Sequence, residues 1–301
     1  FGSPGLFDVE NVYNVLSVKL DICSKPIFPV LPSLINAQNE IKGFLKKGNI
    51  NFPDEVMLGR ALPQVFHTPE PFLNNIDFPN IDRPRIREII DNSEDGFLSA
   101  NEVSSLLDAS GIPRVKEHLV EKVEDLEKKL LEFSYPIAMK VVGPIHKTDV
   151  GGVILNVMSK SYALKAFEDL ISIENASGVL IQSMEKGFEL FVGVKKEDDF
   201  GHAILCGFGG VYVEVIQDVS VGLSPISDKE AHQMVRNLKG YKLFEGLRGG
   251  EGINMPIFTD IICRVSALVE EAPEIEEMDI NPLMGRINNV VAVDCRVRIR
   301  K

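Results

Sequence analysis

The stretch MKVVGPIHKTDVGGVILNV, residues 139–157, sets two β-rich apolar runs on either side of a short polar loop. The loop holds His146, Lys147, Thr148, Asp149 and the pair Gly151 and Gly152, and the first run carries one lysine, Lys140. Side chains alternate faces along a strand, so a single strand lysine ordinarily points to water. Here the strand feeds directly into a glycine-containing polar loop. Glycines lack a Cβ and let backbone N–H groups approach an anion closely, while Lys140 or Lys147 supplies positive charge. That is the chemistry of a phosphate cradle. It is not a P-loop, because no G-x-x-x-x-G-K-[ST] occurs and the loop joins strand to strand.

Working outward, LSANEVSSLLDASGIP offers Ser99 as an N-cap, Glu102 three residues on to complete a capping box, and Gly111 and Pro113 to stop the helix. A charged helix is expected over 115–133, then strands IAMKVV and GVILNV and a helix over KSYALKAFEDLIS. GVLIQSM (178–184) and FELFVGVKKE (188–197), with turn residues Glu185 to Gly187 between them, predict a hairpin. HAILCGFGGVYVEVIQDV predicts two more strands broken by Gly207, Gly209 and Gly210. Helices follow near 228–239 and 256–271, and EEMDINPLMG and VVAVDCRVRI close the chain as two strands joined by a turn at 285–289. The pattern is α/β or α+β, with a largely antiparallel sheet.

Upstream, KPIFPVLPS has the short apolar run of a buried strand, and LINAQNEIKGFLKKGNINF (34–52) has helical apolar spacing that ends near Gly48 and Asn49. NNIDFPNIDRPRIREIIDNSEDG (74–96), rich in Asn, Asp and Pro, reads as a linker with a short helix in its middle. The chain thus divides into 1–73, a linker at 74–96, and 97–301. A length of 301 residues accommodates two cores. The opening FGSPGLFDVENV has no methionine, which reads as one part of a longer polypeptide.

The net charge of -12 argues against nucleic acid or an acidic membrane surface as the main partner. No apolar run reaches the length of a membrane span and no signal peptide opens the chain, so a cytoplasmic location is expected. Cys23, Cys206, Cys263 and Cys295 are widely scattered without a C-x-x-C pair, which predicts reduced, buried thiols rather than a metal cluster.

His146 stands apart from His67, His118, His202 and His232, for which surface or core roles are expected. Its neighbours are suited to phosphate, and a histidine nitrogen beside a bound γ-phosphate either positions it or accepts it covalently. MDINPLM and VAVDCRV set Asn281 and Asp294 on adjacent strands, where their side chains can meet. Carboxylate and amide oxygens suit Mg²⁺, which binds through few protein ligands plus phosphate oxygens and waters. The competing reading pairs Asp294 with Arg296 or Arg298 at the surface. Glu189 and Glu214 face either the site or solvent.

At this point the residues carry a resemblance. YPIAMKVVGPIHKTDVGGVILNV, GVLIQSMEKGFELFVGV, FGHAILCGFGGVYVEVIQDVSVGLSPIS and MDINPLM with VVAVDCRVRI, in that order, are similar to the ATP-grasp part of ADP-forming acyl-CoA synthetases of the acetate–CoA ligase type. These are relatives of the ATP-binding subunit of succinyl-CoA synthetase. The similarity runs from about residue 97 to 301. KPIFPVLPS and FPDEVMLGRALPQVFHTP, within residues 17–71, resemble the end of the CoA-ligase domain that precedes the ATP-grasp part in fused members.

The resemblance implies an ATP-grasp fold of two α+β lobes preceded by a partial flavodoxin-like α/β domain. It implies that acyl-CoA, ADP and phosphate are converted reversibly to acid, CoA and ATP through a phosphohistidine relay. Lys140 would contact nucleotide phosphates together with Lys147, and Gly151 and Gly152 would form the flexible loop over them. His146 would be a phosphohistidine on the ATP-grasp side. Gln182, Ser183 and Met184 would lie along adenine through backbone groups, Glu189 would be an acid on the nucleotide side, and Asn281 and Asp294 the magnesium pair. The cofactors implied are ATP or ADP and Mg²⁺, with CoA bound mainly elsewhere. The CoA-binding Rossmann domain and the stretch bearing the first phosphohistidine are not in this sequence, so the implied partners are those domains, in the same polypeptide or a partner subunit, with acyl-CoA and phosphate as small molecules. A non-catalytic alternative is the degenerate ATP-grasp module fused to protein acyltransferases, which typically loses the loop histidine or the metal pair. A carboxylate–amine ligase of the wider ATP-grasp group would need no loop histidine.

Overall fold

The computed structural model describes residues 10–31, 37–66, 68, 76–143, 151–210, 217–246 and 252–301. The chain forms two compact units, Phe1–Pro71 and Phe72–Lys301.

The first unit has three helices, α1 (Glu10–Ile22), α2 (Gln38–Lys46) and α3 (Glu55–Phe66). On α2, Ile41 and Phe44 lie three residues apart and share a face. With Leu31 and Ala37 they make a small core, packed by Tyr13, Leu16 and Leu20 of α1. The strand expected in KPIFPVLPS is reduced to one parallel bridge, Val30 to Phe52. Pro26 and Pro29 have no N–H to give to a ladder, which limits pairing there.

The segment read as a linker belongs, over its described residues 76–96, to the second unit. Asp82 caps α4 (Arg83–Asn92) by accepting the Arg85 N–H at 3.1 Å, and Pro84 sits in the first turn. Ile86, Ile89 and Ile90, at helical spacing, are enclosed in the main core. The Asn, Asp and Pro content that resembles a linker is therefore capping chemistry. β1 (Gly96–Phe97) follows, then α5 (Ala100–Ser110), with the Ser99–Glu102 capping box formed and Gly111 ending the helix at φ 67°.

Two sheets, both antiparallel, make up the second unit. The smaller runs in the order β2-β5-β3-β4, where β2 is Glu117–Val120, β3 Ile137–Val142, β4 Val153–Val157 and β5 Gly178–Ser183. One face of it packs with α6 (Val123–Leu130) and α7 (Lys160–Ile171) around Ile137, Met139, Val141, Val179 and Ile181. Alternation then turns Lys140 and Gln182 to the other face. The single charged helix expected over 115–133 is corrected to β2 followed by α6. Pairing with β5 supplies hydrogen bonds to Glu117 through Val120 that local helical propensity could not outbid.

The larger sheet runs β1-β11-β9-β6-β7-β8, with β10 also on β9. Its strands are β6 (Phe188–Glu197), β7 (Gly201–Phe208), β8 (Val219–Leu223), β9 (Ile275–Gly285), β10 (Val290–Ala292) and β11 (Cys295–Ile299). Between β8 and β9 come α8 (Asp228–Arg236), the short α9 (Tyr241–Phe244) and α10 (Met255–Glu271). Phe258, Ile261, Ile262, Val265 and Leu268 of α10 join Val192, Ile204 and Ile280 of the sheet in one core. Burying each such side chain contributes about 1.5–3 kcal/mol.

The hairpin expected from residues 178–197 does not form. β5 pairs with β2 and β3, while β6 pairs with β7 and β9, so Glu185 to Gly187 cross from one sheet to the other. Among the described residues no helix is long and apolar enough to cross a membrane. Cys206 and Cys263 are buried as expected, whereas Cys23 is exposed.

Candidate functional site

The register of β9 is constant across the break between β10 and β11. Ala292 faces Leu283 and Cys295 faces Ile280, so Asp294 stands opposite Asn281. The Asn281 N–H donates to the Asp294 carbonyl at 3.1 Å, and residues directly opposite in a ladder share a face. The Asn281 Oδ1 in turn accepts the Gly210 N–H at 3.0 Å. Gly210 has a φ of 59°, and its Cα lies so close to the Glu189 carboxyl that a Cβ there would overlap it. The Gly209 N–H donates to the Glu189 backbone carbonyl at 2.7 Å. Glu189, Gly210, Asn281 and Asp294 thus form a continuous row on the larger sheet.

From the smaller sheet, Lys140 (7 % exposed) donates from Nζ to the Val293 carbonyl at 3.3 Å. Gln182 (2 % exposed) donates from Nε2 to the same carbonyl at 3.0 Å and also to the Glu117 carboxylate. Glu117 is held by Arg114 at 3.2 Å and by the Ser104 hydroxyl. Backbone bonds from Val115 to the Ala292 carbonyl (2.9 Å) and from Ala292 to the Pro113 carbonyl (2.8 Å) stitch the two sheets beside this point. A cavity of about 330 Å³ lies here, lined by Val142, Leu180, Gln182, Asp294, Arg296 and, from α5, Val103.

The cavity wall carries two acids, Glu117 and Asp294, and two arginines, Arg114 and Arg296. Burial pushes the Asp279 carboxyl up, Arg296 opposes that shift, and Asp294 and Glu277 add to it. Burial, with Asp294, Asp279 and Glu117 as negative neighbours, pushes the Cys295 thiol well up, so it stays protonated.

Lys140, Gln182, Asn281, Asp294 and Glu189 are therefore drawn into one neighbourhood. Gly151 has a φ of 68°, and the Gly152 carbonyl accepts the Val141 N–H at 2.8 Å, which closes β3 against the start of β4. The Ser183 N–H is taken by the Lys116 carbonyl at 3.0 Å, and the Met184 sulfur faces the Asn156 N–H at 3.1 Å. His146, Lys147 and Glu214 lie outside the described residues. Of the two arginines weighed as partners for Asp294, Arg298 pairs with Glu276 at 3.6 Å and Arg296 stands opposite Asp279. Arg114, Glu117 and Asp279 went unnoticed in the sequence. Glu117 sat within an expected helix, and nothing local marks it as a partner of a residue 65 positions away.

No group of three or more His, Cys, Asp or Glu side chains able to hold a metal ion occurs among the described residues. The Asn281–Asp294 pair sets an amide and a carboxylate residue opposite each other in the ladder. Two hard oxygens fit Mg²⁺, which takes its remaining ligands from phosphate and water, and fit poorly with a zinc centre.

The ATP-grasp domain family matches residues 90–299, which hold both antiparallel sheets. The beta subunit of ADP-forming acetate–CoA ligase I from Pyrococcus furiosus is 36% identical over 227 residues, which cover 71% of this chain and 97% of that subunit. The chain belongs to the ADP-forming acyl-CoA synthetases, as a member with their ATP-grasp domain. ADP-forming acetate–CoA ligase II of Archaeoglobus fulgidus is 41% identical over 204 residues, covering 67% of this chain but only 30% of that protein's length. Among solved structures, acetyl-coenzyme A synthetase 1 of Ca. Korarchaeum cryptofilum, in complex with coenzyme A and Ca-AMPCP, superposes with a TM-score of 0.67 at 31% identity over 73% of this chain and all of that one. The same protein is known with Mg-AMPPCP and its phosphohistidine segment pointing towards the nucleotide binding site, with a TM-score of 0.63 at 32% identity over the same share of both chains.

Proposed function

We propose that this chain is the nucleotide-binding, phosphoryl-transferring part of an NDP-forming acyl-CoA synthetase, which interconverts acyl-CoA, ADP and phosphate with acid, CoA and ATP. The observation that carries the reading is the Lys140 bond to the carbonyl of Val293, next to Asp294, with Asn281 opposite Asp294 in the ladder, so that a lysine from one sheet lies close to an amide and a carboxylate residue from the other. Lys140 would neutralise nucleotide phosphate charge, Asn281 and Asp294 would hold Mg²⁺, and Glu189 would stand on the nucleotide side. A bound Mg²⁺ would disperse charge on the phosphates.

His146 would take the γ-phosphoryl group: its ring nitrogen forms the N–P bond as the bond to the ADP oxygen breaks, and ADP leaves. Neutral imidazole is a competent nucleophile near pH 7, and Lys147 with Gly151 and Gly152 would surround the phosphorylated ring. The phosphoryl group would pass onward to CoA-binding and CoA-ligase domains in the same polypeptide or a partner subunit. The relatives known with coenzyme A and Mg-AMPPCP support this reading. Residues 1–73 would be the end of a CoA-ligase domain, which accords with exposed apolar side chains such as Val18 on α1 and Val65 on α3.

The test is calorimetric titration of the folded chain with ADP and Mg²⁺, followed by incubation with γ-labelled ATP and an alkaline quench. Magnesium-dependent binding and an acid-labile label lost in His146→Ala are expected. Absence of nucleotide binding overturns the reading, and full labelling of His146→Ala removes the relay role.

A further inference from the structure

We propose that Gln182 is a positioning residue: through the Val293 carbonyl it sets Asp294, and so tunes how tightly the chain holds a divalent cation with nucleotide. The inference rests on the reading of this cleft as a metal–nucleotide site.

Val293 and Asp294 fall in the gap between β10, which ends at Ala292, and β11, which begins at Cys295. There strand geometry is broken although the register with β9 continues, and side chains from the smaller sheet add to the hold on Val293. Its N–H donates to the Pro282 carbonyl at 3.0 Å, while its carbonyl receives Gln182 Nε2 at 3.0 Å and Lys140 Nζ at 3.3 Å. The peptide unit is planar, so a fastened Val293 carbonyl also fixes the Asp294 nitrogen and the direction in which its Cα leaves. The Asp294 carbonyl is held by the Asn281 N–H, and its Oδ1 accepts the Cys295 N–H at 3.1 Å, so backbone and carboxylate are each restrained.

Gln182 suits this task better than Lys140. In the proposed function Lys140 turns to nucleotide phosphate, and the amide is then the remaining side-chain donor at Val293. The amide has two donor hydrogens, and both are used, one on Val293 and one on Glu117. Glu117 is itself fixed by Arg114 and Ser104. The side chain is therefore gripped from the smaller sheet and grips the larger. Its Oε1 is buried without a partner, a cost of about 1–3 kcal/mol that the two donor contacts must offset. An apolar side chain of the same volume would avoid that cost, so the amide here is explained by what it holds.

The experiment uses the full chain carrying Gln182→Met, which keeps volume and removes both donors. Mn²⁺ half-saturation in the presence of ADP is read by electron paramagnetic resonance, and ADP affinity in EDTA by calorimetry, with circular dichroism to confirm folding. The expected result is a roughly tenfold weaker Mn²⁺ half-saturation, as for other residues that orient metal ligands, exceeding any change in metal-free ADP affinity, since the adenine contact expected of Gln182 is made by backbone groups. Unchanged Mn²⁺ binding overturns the proposal. So does an equal loss of metal-free ADP affinity, which would mean that Gln182 touches the nucleotide. If Gln182→Met does not fold, Glu117→Gln decides: it loosens the other end of the amide and should shift Mn²⁺ in the same direction by a smaller factor, and no shift overturns the proposal. Failure of the unmodified chain to bind Mn²⁺–ADP at all overturns the nucleotide reading and this inference together.

Discussion

Residues 10–66 and residues 76–301 are both built from well-formed helices, yet they use their apolar side chains in opposite ways. In the first unit the described core is Leu31, Ala37, Ile41 and Phe44, and α3 buries none of its side chains. Val56, Met57, Val65 and Phe66 on α3 are all about half exposed or more, Phe66 reaching 86 %. In the second unit α10 alone buries ten residues, against the larger sheet and against α4, α5 and α8. The difference teaches that helical periodicity is a statement about a face and not about what covers it. Two sheets give the second unit surfaces on which helices can bury their stripes, whereas the described residues of the first contain no sheet, only one bridge.

The hardest test of that contrast is to separate the units. Residues 72–301 made alone are expected to keep a cooperative thermal transition by circular dichroism, and residues 1–71 alone to show none. A cooperative transition in the smaller piece would break the comparison. Next in size, Phe258→Ala, at a fully buried position of α10, should cost roughly 3–5 kcal/mol in denaturant unfolding. Phe44→Ala should leave that same transition in place, because its core lies in the other unit.

Smaller again is Gly210→Ala. The left-handed backbone and the Glu189 carboxyl against the Cα both oppose a methyl group, for about 1–2 kcal/mol, and the Asn281 contact should loosen with it. Chemical denaturation checks the first effect and Mn²⁺ titration the second. The smallest effect concerns α4. Arg87 donates to both Glu274 oxygens at 2.9 Å, and this holds the Glu274 carboxyl below its ordinary range. A depressed carboxylate stabilises the fold above its unfolded value and loses that contribution as pH falls through the folded one. Arg87→Met should therefore cost about 1 kcal/mol near neutral pH, a difference that shrinks on acidification towards what the Arg87 bond to the Glu271 carbonyl contributes. If the difference persists undiminished in acid, the pair does not secure α4 to the second unit.

Much of the candidate site could be nominated from the sequence because its signals are local. A lysine in an apolar strand, a glycine pair after it, Asn281 in MDINPLM and Asp294 in VAVDCRV each announce themselves within a few residues. The Ser99–Glu102 capping box formed as expected for the same reason: a cap is satisfied by its own helix. The β10–β11 break, by contrast, keeps its register with β9 only through pairing between segments, and that register is what sets Asn281 opposite Asp294.

What the sequence determined by itself is most of the elements of the second unit, since apolar period, caps and glycines act over one turn or one strand. Only the tertiary structure decided partnership. β5 and β6 look like a hairpin because both alternate and a turn lies between them, yet a strand's pattern says which face is apolar and nothing about which edge will receive it. The same holds for β2, whose charged sequence favours helix until β5 offers it a ladder. It holds for Glu117 and Gln182, which become one unit with Val293 when the two sheets close on each other. Hydrogen bonds between sheets depend on positions tens of residues apart, and no window of sequence contains both partners.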